Sequence, residues 1–278
     1  MHVVHTVGEC RRIRAMLKGG LGFVPTMGYL HEGHMTLVRH ARAANDHVAV
    51  SIFVNPAQFG PNEDFAAYPR DLNRDLAMLE QEGVSFVFNP SPEVVYPKGF
   101  ETYMVPGEVA EPLEGARRPG HFRGVDTVVA KLFNIVQPHR AYFGEKDAQQ
   151  VRVIKRMVKD LDIPVEIVIV PTVREPDGLA MSSRNIYLNE RERKAALCLI
   201  KGMRLAHSHW QEGKRNAETL RKLVEETIEA EPLAALDYVS LADSESLNEL
   251  HGTVSGAALL SLAVRIGKTR LIDNMTLE

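Results

Sequence analysis

The 278 residues carry a formal net charge of −3, with 45% hydrophobic and 25% charged positions. That is the balance of an ordinary globular protein with room for one large or two medium domains. It excludes bulk electrostatic attraction to nucleic acid or anionic membranes, and no apolar run is long enough to span a bilayer. Two cysteines, Cys10 and Cys198, are too few for a disulfide framework. The N-terminus lacks the charged and apolar regions of a signal peptide, so the expected home is a reducing cytoplasm.

Thr6 and Glu9 have the spacing of a capping box and predict a first helix ending at Gly19 and Gly20. An apolar run over 21–24 predicts a buried strand, broken by Pro25, Thr26 and Gly28. Helical spacing begins after Gly33, with Leu37, Val38 and Ala41 on one face. Residues 48–54 (VAVSIFV) predict a second buried strand stopped by Asn55 and Pro56, and the polar stretch up to Tyr68 a loop. Leu72, Leu76 and Leu79 set a helix over 70–82, followed by a strand at 84–88. The Pro- and Gly-rich stretch 89–124 predicts short elements and loops. Next come a helix over 125–136, a short strand at 141–143, a helix over 147–161 and a strand at 165–170 (VEIVIV). Asn189 caps a long helix running to Gln211, and Asn216 another ending near Glu229. Strand-like runs at 236–241, 257–266 and 269–273 close the chain.

Strands alternating with helices over residues 1–173 predict an α/β, Rossmann-like, mostly parallel sheet with helices on both faces. Helices followed by strands over 174–278 predict a smaller C-terminal α+β domain, read as a lid, with 174–188 as a functional connector. Ligands of such sheets sit beyond the carboxyl ends of the strands. The segments of interest are therefore 26–34, 55–60, 144–150 and 171–184. Gly267-Lys-Thr269 echoes the end of a P-loop, but Leu262 stands where its first Gly belongs. No Gly-x-Gly-x-x-Gly follows the first strand, so the usual dinucleotide site is not expected.

Residues 23–34 (FVPTMGYLHEGH) read as strand, tight turn and helix, with His31 and His34 at the join. A helix N-terminus carries unpaired N–H groups and the positive end of the macrodipole, a natural seat for phosphate. Two imidazoles three residues apart can donate to the same anion. A capping role suits His31 taken alone, and a metal site needs further ligands that no nearby Cys or Asp cluster supplies. The pair behind a strand and a Gly turn favours phosphate handling. Gly144-Glu-Lys-Asp147 follows a strand and opens a helix: Gly144 permits close backbone approach, Lys146 offers charge to phosphate and Asp147 an acceptor for a ribose hydroxyl. A surface turn with a capping Asp fits the same residues. Of Gln149 and Gln150, adjacent on a helix, only one should face a ligand. Met181-Ser-Ser-Arg-Asn185 offers two hydroxyls, an Arg and backbone N–H groups to a triphosphate, or forms a helix cap with an ion pair. Gln58, in NPAQF after the second strand, suits a small polar substrate or a backbone contact. Arg117-Arg118-Pro-Gly-His-Phe-Arg123 is basic with one aromatic; it could attract anions, and reads by default as a solvated loop.

PTMGYLHEGH, FVNPAQF, YFGEKDAQQ and MSSRN occur in this order at strand ends. Together they closely resemble the pantothenate synthetase (pantoate–β-alanine ligase) family, over essentially the whole chain. That family belongs to the nucleotidyltransferases with a His-x-Gly-His signature, related in fold to class I aminoacyl-tRNA synthetases; MSSR stands where those enzymes carry Lys-Met-Ser-Lys-Ser. The resemblance implies an ATP-dependent, Mg²⁺-assisted ligase in which pantoate forms a pantoyl adenylate that β-alanine then attacks. It implies His34 as the catalytic histidine, His31 as its partner on the phosphates, and Lys146 and Arg184 as further catalytic cations. Met27, Gly28, His31, His34, Gly144, Glu145, Lys146, Asp147, Val173, Met181, Ser182, Ser183 and Arg184 match the ATP-contacting positions. Gln58 and Gln150 match the glutamines that hold pantoate, Gln58 also lying near β-alanine. Metal ligands are not specified. Family members are commonly homodimers, so a homodimer is expected, with no nucleic-acid or membrane partner. The alternative readings are an adenylyltransferase acting on a phosphorylated metabolite, whose acceptor pocket should be basic, and a non-catalytic nucleotide-binding module.

Overall fold

The computed structural model describes residues 1–61 and 63–278. The chain divides into two units, Met1–Glu145 with Gln149–Pro171, and Lys146–Ala148 with Thr172–Glu278. The strands of the first unit are β1 (His2–Val4), β2 (Leu21–Thr26), β3 (His47–Ile52), β4 (Phe86–Phe88), β5 (Arg140–Gly144) and β6 (Glu166–Val170). They form one sheet in the order β1-β4-β3-β2-β5-β6, every pairing parallel. The helices are α1 (Val7–Met16), α2 (Glu32–Ala44), α3 (Leu72–Gln81), α4 (Pro92–Val95), α5 (Glu114–Arg117), α6 (His121–Val136) and α7 (Ala148–Asp160).

Side-chain alternation along each strand sorts the core into two layers. Leu21, Phe23, Ala49, Phe86, Phe88, Ala141 and Phe143 face one way, into a cluster with residues of α1, α6 and α7. Val24, Val48, Val50, Ile52, Val87 and Tyr142 face the other, into a cluster with α2 and Leu79 of α3. Helices thus cover both faces, which is why the strands read as continuous apolar runs instead of alternating ones.

Some boundaries differ from expectation. β2 runs through Pro25 and Thr26. Thr26 accepts from Phe53 N on the β3 side, so the Pro25 nitrogen points toward β5, where pairing ends at Phe23 and Ala141. The donor that proline lacks is therefore not needed there. α6 starts at His121, so part of the expected basic loop is helical. Gly124 falls inside that helix because a Cβ there would stand 2.1 Å from Ala57 O. β1, only three residues long, went unpredicted. The capping box of Thr6 and Glu9 is present.

The second unit holds α8 (Glu190–Ala195), α9 (Leu197–Gln211), α10 (Ala217–Glu229) and an antiparallel sheet β7-β8-β9 (Ala234–Asp243, Ala258–Ile266, Thr269–Leu277). α9, α10 and one face of the sheet share a core around Met203, Trp210, Leu220, Leu260 and Leu262. The long helix expected after Asn189 is broken by a tightened turn at Ala196, whose carbonyl accepts from Leu199 N three residues on. Among the described residues no helix is long and apolar enough to cross a membrane.

Candidate active site

From β2 the chain steps outward through β3, and on the other side of β2 lies β5. The carboxyl ends of β2 and β5 thus flank a topological switch point, where ligands of parallel sheets bind. Residues 27–34 leave β2, 53–58 leave β3, and Gly144 and Glu145 leave β5.

The turn after β2 is held from inside the protein. Gly28 and Tyr29 both adopt the left-handed region, with φ 85° and 50°. At Gly28 a Cβ would stand 3.0 Å from Ile52 and 3.2 Å from an Asp75 carboxylate oxygen, so glycine is required twice over. Asp75, 1% exposed on α3, accepts from Tyr29 N (2.7 Å) and Leu30 N (2.8 Å). Burial, the largest influence, raises its carboxyl above the ordinary value against the lowering effect of these two donors. Arg74 donates to Leu30 O at 2.9 Å and lies over the Tyr29 ring.

His31 is the N-cap of α2. Its Nδ1 accepts from Gly33 N at 3.2 Å, and His34 Nδ1 accepts from His31 N at 3.3 Å, a capping box built from two imidazoles. The capping role and the paired placement are therefore both real. An Nδ1 that accepts cannot also carry the proton in a neutral ring, so both neutral rings hold theirs on Nε2, where it can be donated. Their centroids are 4.1 Å apart. The expectation of unpaired N–H groups at this helix start is narrowed: Gly33 N goes to His31 Nδ1, and His34 N and Met35 N to His31 O.

Gln58 lies in a 3-10 turn, Pro56–Gln58, after β3. Asn55 Nδ2 donates to Gln58 Oε1 at 3.1 Å, and Gln58 Nε2 donates to Met27 Sδ at 3.2 Å. Asn55 is itself buried; it donates to Gly124 O at 3.1 Å and accepts from Tyr96 OH at 2.7 Å. Met27 and Gln58 are thus brought together, and Asn55 fixes the amide's orientation. Gln149 is buried and structural: its Oε1 accepts from Glu114 N at 2.9 Å, and its Nε2 donates to Val109 O (3.1 Å) and Pro112 O (2.7 Å). Gln150 makes none of these contacts and is half-buried. Gly144 closes β5, and Glu145 begins the 3-10 turn that follows.

The remaining expected residues belong to the second unit. Lys146 and Asp147 sit 3.8 Å apart as an ion pair, and Lys146 O accepts from Asn274 Nδ2 at 2.8 Å. Met181 N donates to Val173 O at 3.0 Å, which joins these two positions. Ser182 caps a 3-10 turn, Ser183–Tyr187, accepting from Arg184 N; Ser183 is buried. The connector is pinned behind them. Arg174 makes a bidentate pair with buried Asp273 at 2.6 and 3.0 Å, and Asn185 donates to Glu175 at 3.0 Å and to Ala180 O at 3.1 Å.

Asn55, Asp75, Arg118 and His121 were not among the expected site residues. Asp75 had a signal: with Leu72, Leu76 and Leu79 it completes an i, i+3, i+4, i+7 stripe, so a carboxylate stands on the buried face of a helix. The basic stretch 117–123 is solvated only in part: Arg117, Pro119, Gly120 and Arg123 are exposed, while Arg118 is paired with Glu63 and His121 is buried.

The pantoate-beta-alanine ligase family model matches residues 2–276. The pantothenate synthetase of Roseiflexus castenholzii is 60% identical over 278 residues, spanning 100% of each chain. A crystal structure of pantothenate synthetase from Thermus thermophilus superposes with a TM-score of 0.94 at 50% identity, covering 99% of each chain. The pantoate-beta-alanine ligase of Francisella tularensis, solved with beta-gamma ATP and beta-alanine, superposes with a TM-score of 0.82 at 39% identity, covering 99% of this chain and 97% of that one. Similarity at this level runs from end to end and takes in every motif at the strand ends; the chain belongs to the pantoate–β-alanine ligase family.

Proposed function

We propose that this protein condenses pantoate with β-alanine at the expense of ATP, through a pantoyl adenylate. A carboxylate is a poor acyl donor at neutral pH. Its attack on the α-phosphorus of ATP forms a P–O bond and expels pyrophosphate, leaving a mixed anhydride. The β-alanine amine then attacks the acyl carbon; AMP leaves, the amine gives up a proton, and the amide is pantothenate. One difficult step becomes two easier ones.

The observation that carries this reading is the tautomer imposed on both histidines. Donation from Gly33 N and His31 N to the two Nδ1 atoms commits Nε2 of His31 and His34 to donating. Preorganised donors of this kind stabilise charge that builds on phosphate oxygens as pyrophosphate departs. Gln58 and Gln150 take the pantoate. An amide orients the acid without the ion pair by which a Lys or Arg would blunt its nucleophilicity, and Asn55 already holds Gln58 Oε1, so the ligand meets Nε2–H. Met27, Gly28, Gly144 and Glu145 are assigned to ATP at the switch point. Lys146, Asp147, Val173, Met181, Ser182, Ser183 and Arg184 are assigned to it by motif position, with 174–278 as a lid. No group of three or more His, Cys, Asp or Glu suited to a metal occurs among the described residues. Mg²⁺ is accordingly proposed to enter on the ATP phosphates as part of the substrate. Both thiols are buried and free, as suits a reducing cytoplasm, and a homodimer is the proposed assembly.

ATP–pyrophosphate exchange tests the reaction. Exchange should require pantoate and proceed without β-alanine, because adenylation comes first. Exchange that demands a phosphorylated acceptor would make the protein an adenylyltransferase, and none with any carboxylate would make it a binding module.

A further inference from the structure

The basic stretch 117–123 has no part in the chemistry above, yet two of its side chains converge on Gln58. His121 Nδ1 lies 2.9 Å from the Gln58 carbonyl oxygen, and Arg118 Nη1 lies 3.1 Å from His121 Nε2. A carbonyl only accepts and a guanidinium only donates, so the ring must carry its proton on Nδ1 and accept on Nε2. Arg118 is aimed by Glu63 through a bidentate pair, Nε to Oε1 at 2.7 Å and Nη2 to Oε2 at 2.8 Å. One turn further along α6, Gly124 lets the helix approach so closely that a Cβ would stand 2.1 Å from Ala57 O and 2.7 Å from Gln58 N. The peptide groups on both sides of Gln58 thus lie against the start of α6.

We propose that His121 and Arg118 are positioning residues for pantoate, acting through the backbone of Gln58; this rests on the assignment of Gln58 to pantoate made above. The imidazole is suited to the task because it stays neutral. Burial first, then the Arg118 cation, hold it down to about 4, against the opposing pull of the Gln58 carbonyl, Glu63 and Glu114. A charged ring would set an Nε2–H against the Arg118 N–H and break the chain of bonds.

The test is pyrophosphate exchange by the full chain, with pantoate and ATP varied in turn, for Gln58→Ala, His121→Leu, His121→Asn, Arg118→Lys and the Gln58→Ala/His121→Leu double variant. ATP binding by calorimetry establishes that each is folded. His121→Leu should raise the pantoate KM about tenfold and leave the ATP KM unchanged, on the scale of one lost hydrogen bond. His121→Asn, whose amide N–H can replace Nδ1–H, should recover most of that loss. The double variant should match Gln58→Ala alone, since both changes act through one side chain. If His121→Leu does not fold, Arg118→Lys, which keeps the charge and loses the fork, should still raise the pantoate KM. A normal pantoate KM in the His121 and Arg118 variants beside a raised one in Gln58→Ala overturns the proposal, as do additive losses in the double variant. A normal pantoate KM in Gln58→Ala overturns instead the assignment of Gln58 on which the proposal stands.

Discussion

Asp126 should make the first unit lose stability as pH rises through neutrality. It is 2% exposed on α6, and its Oδ1 has no hydrogen-bond partner among the described residues. Burial pushes its carboxyl from the ordinary 3.8 up to about 7. Between those values the folded chain holds a proton that the unfolded chain has lost, so stability falls with rising pH by ~1.4 kcal/mol per pH unit. From about pH 5 to about pH 8 the wild type should lose ~3 kcal/mol through this group alone. Asp126→Asn keeps the shape and cannot ionise. Whatever fixed effect the amide has at low pH, the stability of the variant relative to wild type should rise by ~3 kcal/mol across that interval. Trp210 is the only tryptophan and belongs to the second unit. Fluorescence therefore does not report this site, and hydrogen exchange of the α6 amides at matched pH values is the assay. Other titrating groups cancel in the difference between the two proteins. A variant-minus-wild-type difference that stays constant with pH would refute the idea that Asp126 is buried without a compensating partner.

Other expectations are briefer. His34→Ala should slow single-turnover adenylate formation by about 10²-fold or more, and His31→Ala likewise, with a further loss of about 1 kcal/mol in stability from the missing N-cap; near-normal rates in both would remove them from the mechanism. Gly124→Ala should abolish pantoate-dependent exchange, because its Cβ would displace the Ala57 carbonyl; retained exchange at normal pantoate concentration would show that the turn can shift harmlessly. Arg174→Ala strands the buried Asp273 carboxylate and should destabilise the second unit by roughly 3–5 kcal/mol, read by Trp210 fluorescence in urea. Hydrogen exchange of residues 181–184 should slow when a nonhydrolysable ATP analogue binds, while the pinned flank around Arg174 changes little; equal protection throughout would deny 181–184 a role in phosphate binding.

Periodicity carried the architecture because each strand of the large sheet is covered on both faces. VAVSIFV is apolar throughout for that reason, with Val48, Val50 and Ile52 on one layer and Ala49 on the other. Boundaries failed where a local rule was overridden by a partner distant in sequence. Pro25 breaks a strand only if its missing donor is needed, and β5 has already ended its pairing there. Gly124 marks a loop in composition but sits inside a helix, because the Ala57 carbonyl lies where its side chain would be. The site divides in the same way. His31, His34 and Gln58 follow strand ends and stand in recognisable motifs. Asn55 read only as a strand stop, and Arg118 and His121 only as a polar loop. Their roles depend on contacts across 55 to 69 residues of chain, between Arg118 and Glu63, His121 and Gln58, and Asn55 and Gly124, which local pattern does not encode.

In the turn after β2 most backbone amides are occupied from within the protein. Gly28 N donates to Thr26 Oγ1 at 3.2 Å, and Tyr29 N and Leu30 N to Asp75. His31 N and Gly33 N go to the two imidazoles, and His34 N and Met35 N to the His31 carbonyl. These internal bonds hold a left-handed pair, Gly28 and Tyr29, that would otherwise be costly for the non-glycine residue. They also convert backbone donors into side-chain ones: each N–H committed to an Nδ1 leaves the proton of that ring on Nε2. The positive end of the helix dipole still favours negative charge at this end. Under the proposed reaction, charge that builds on the phosphates as pyrophosphate leaves would meet two imidazoles held in one tautomer. Asp75 supports the turn from beneath by occupying the amides of Tyr29 and Leu30, so its loss should disturb the placement of both histidines without removing either.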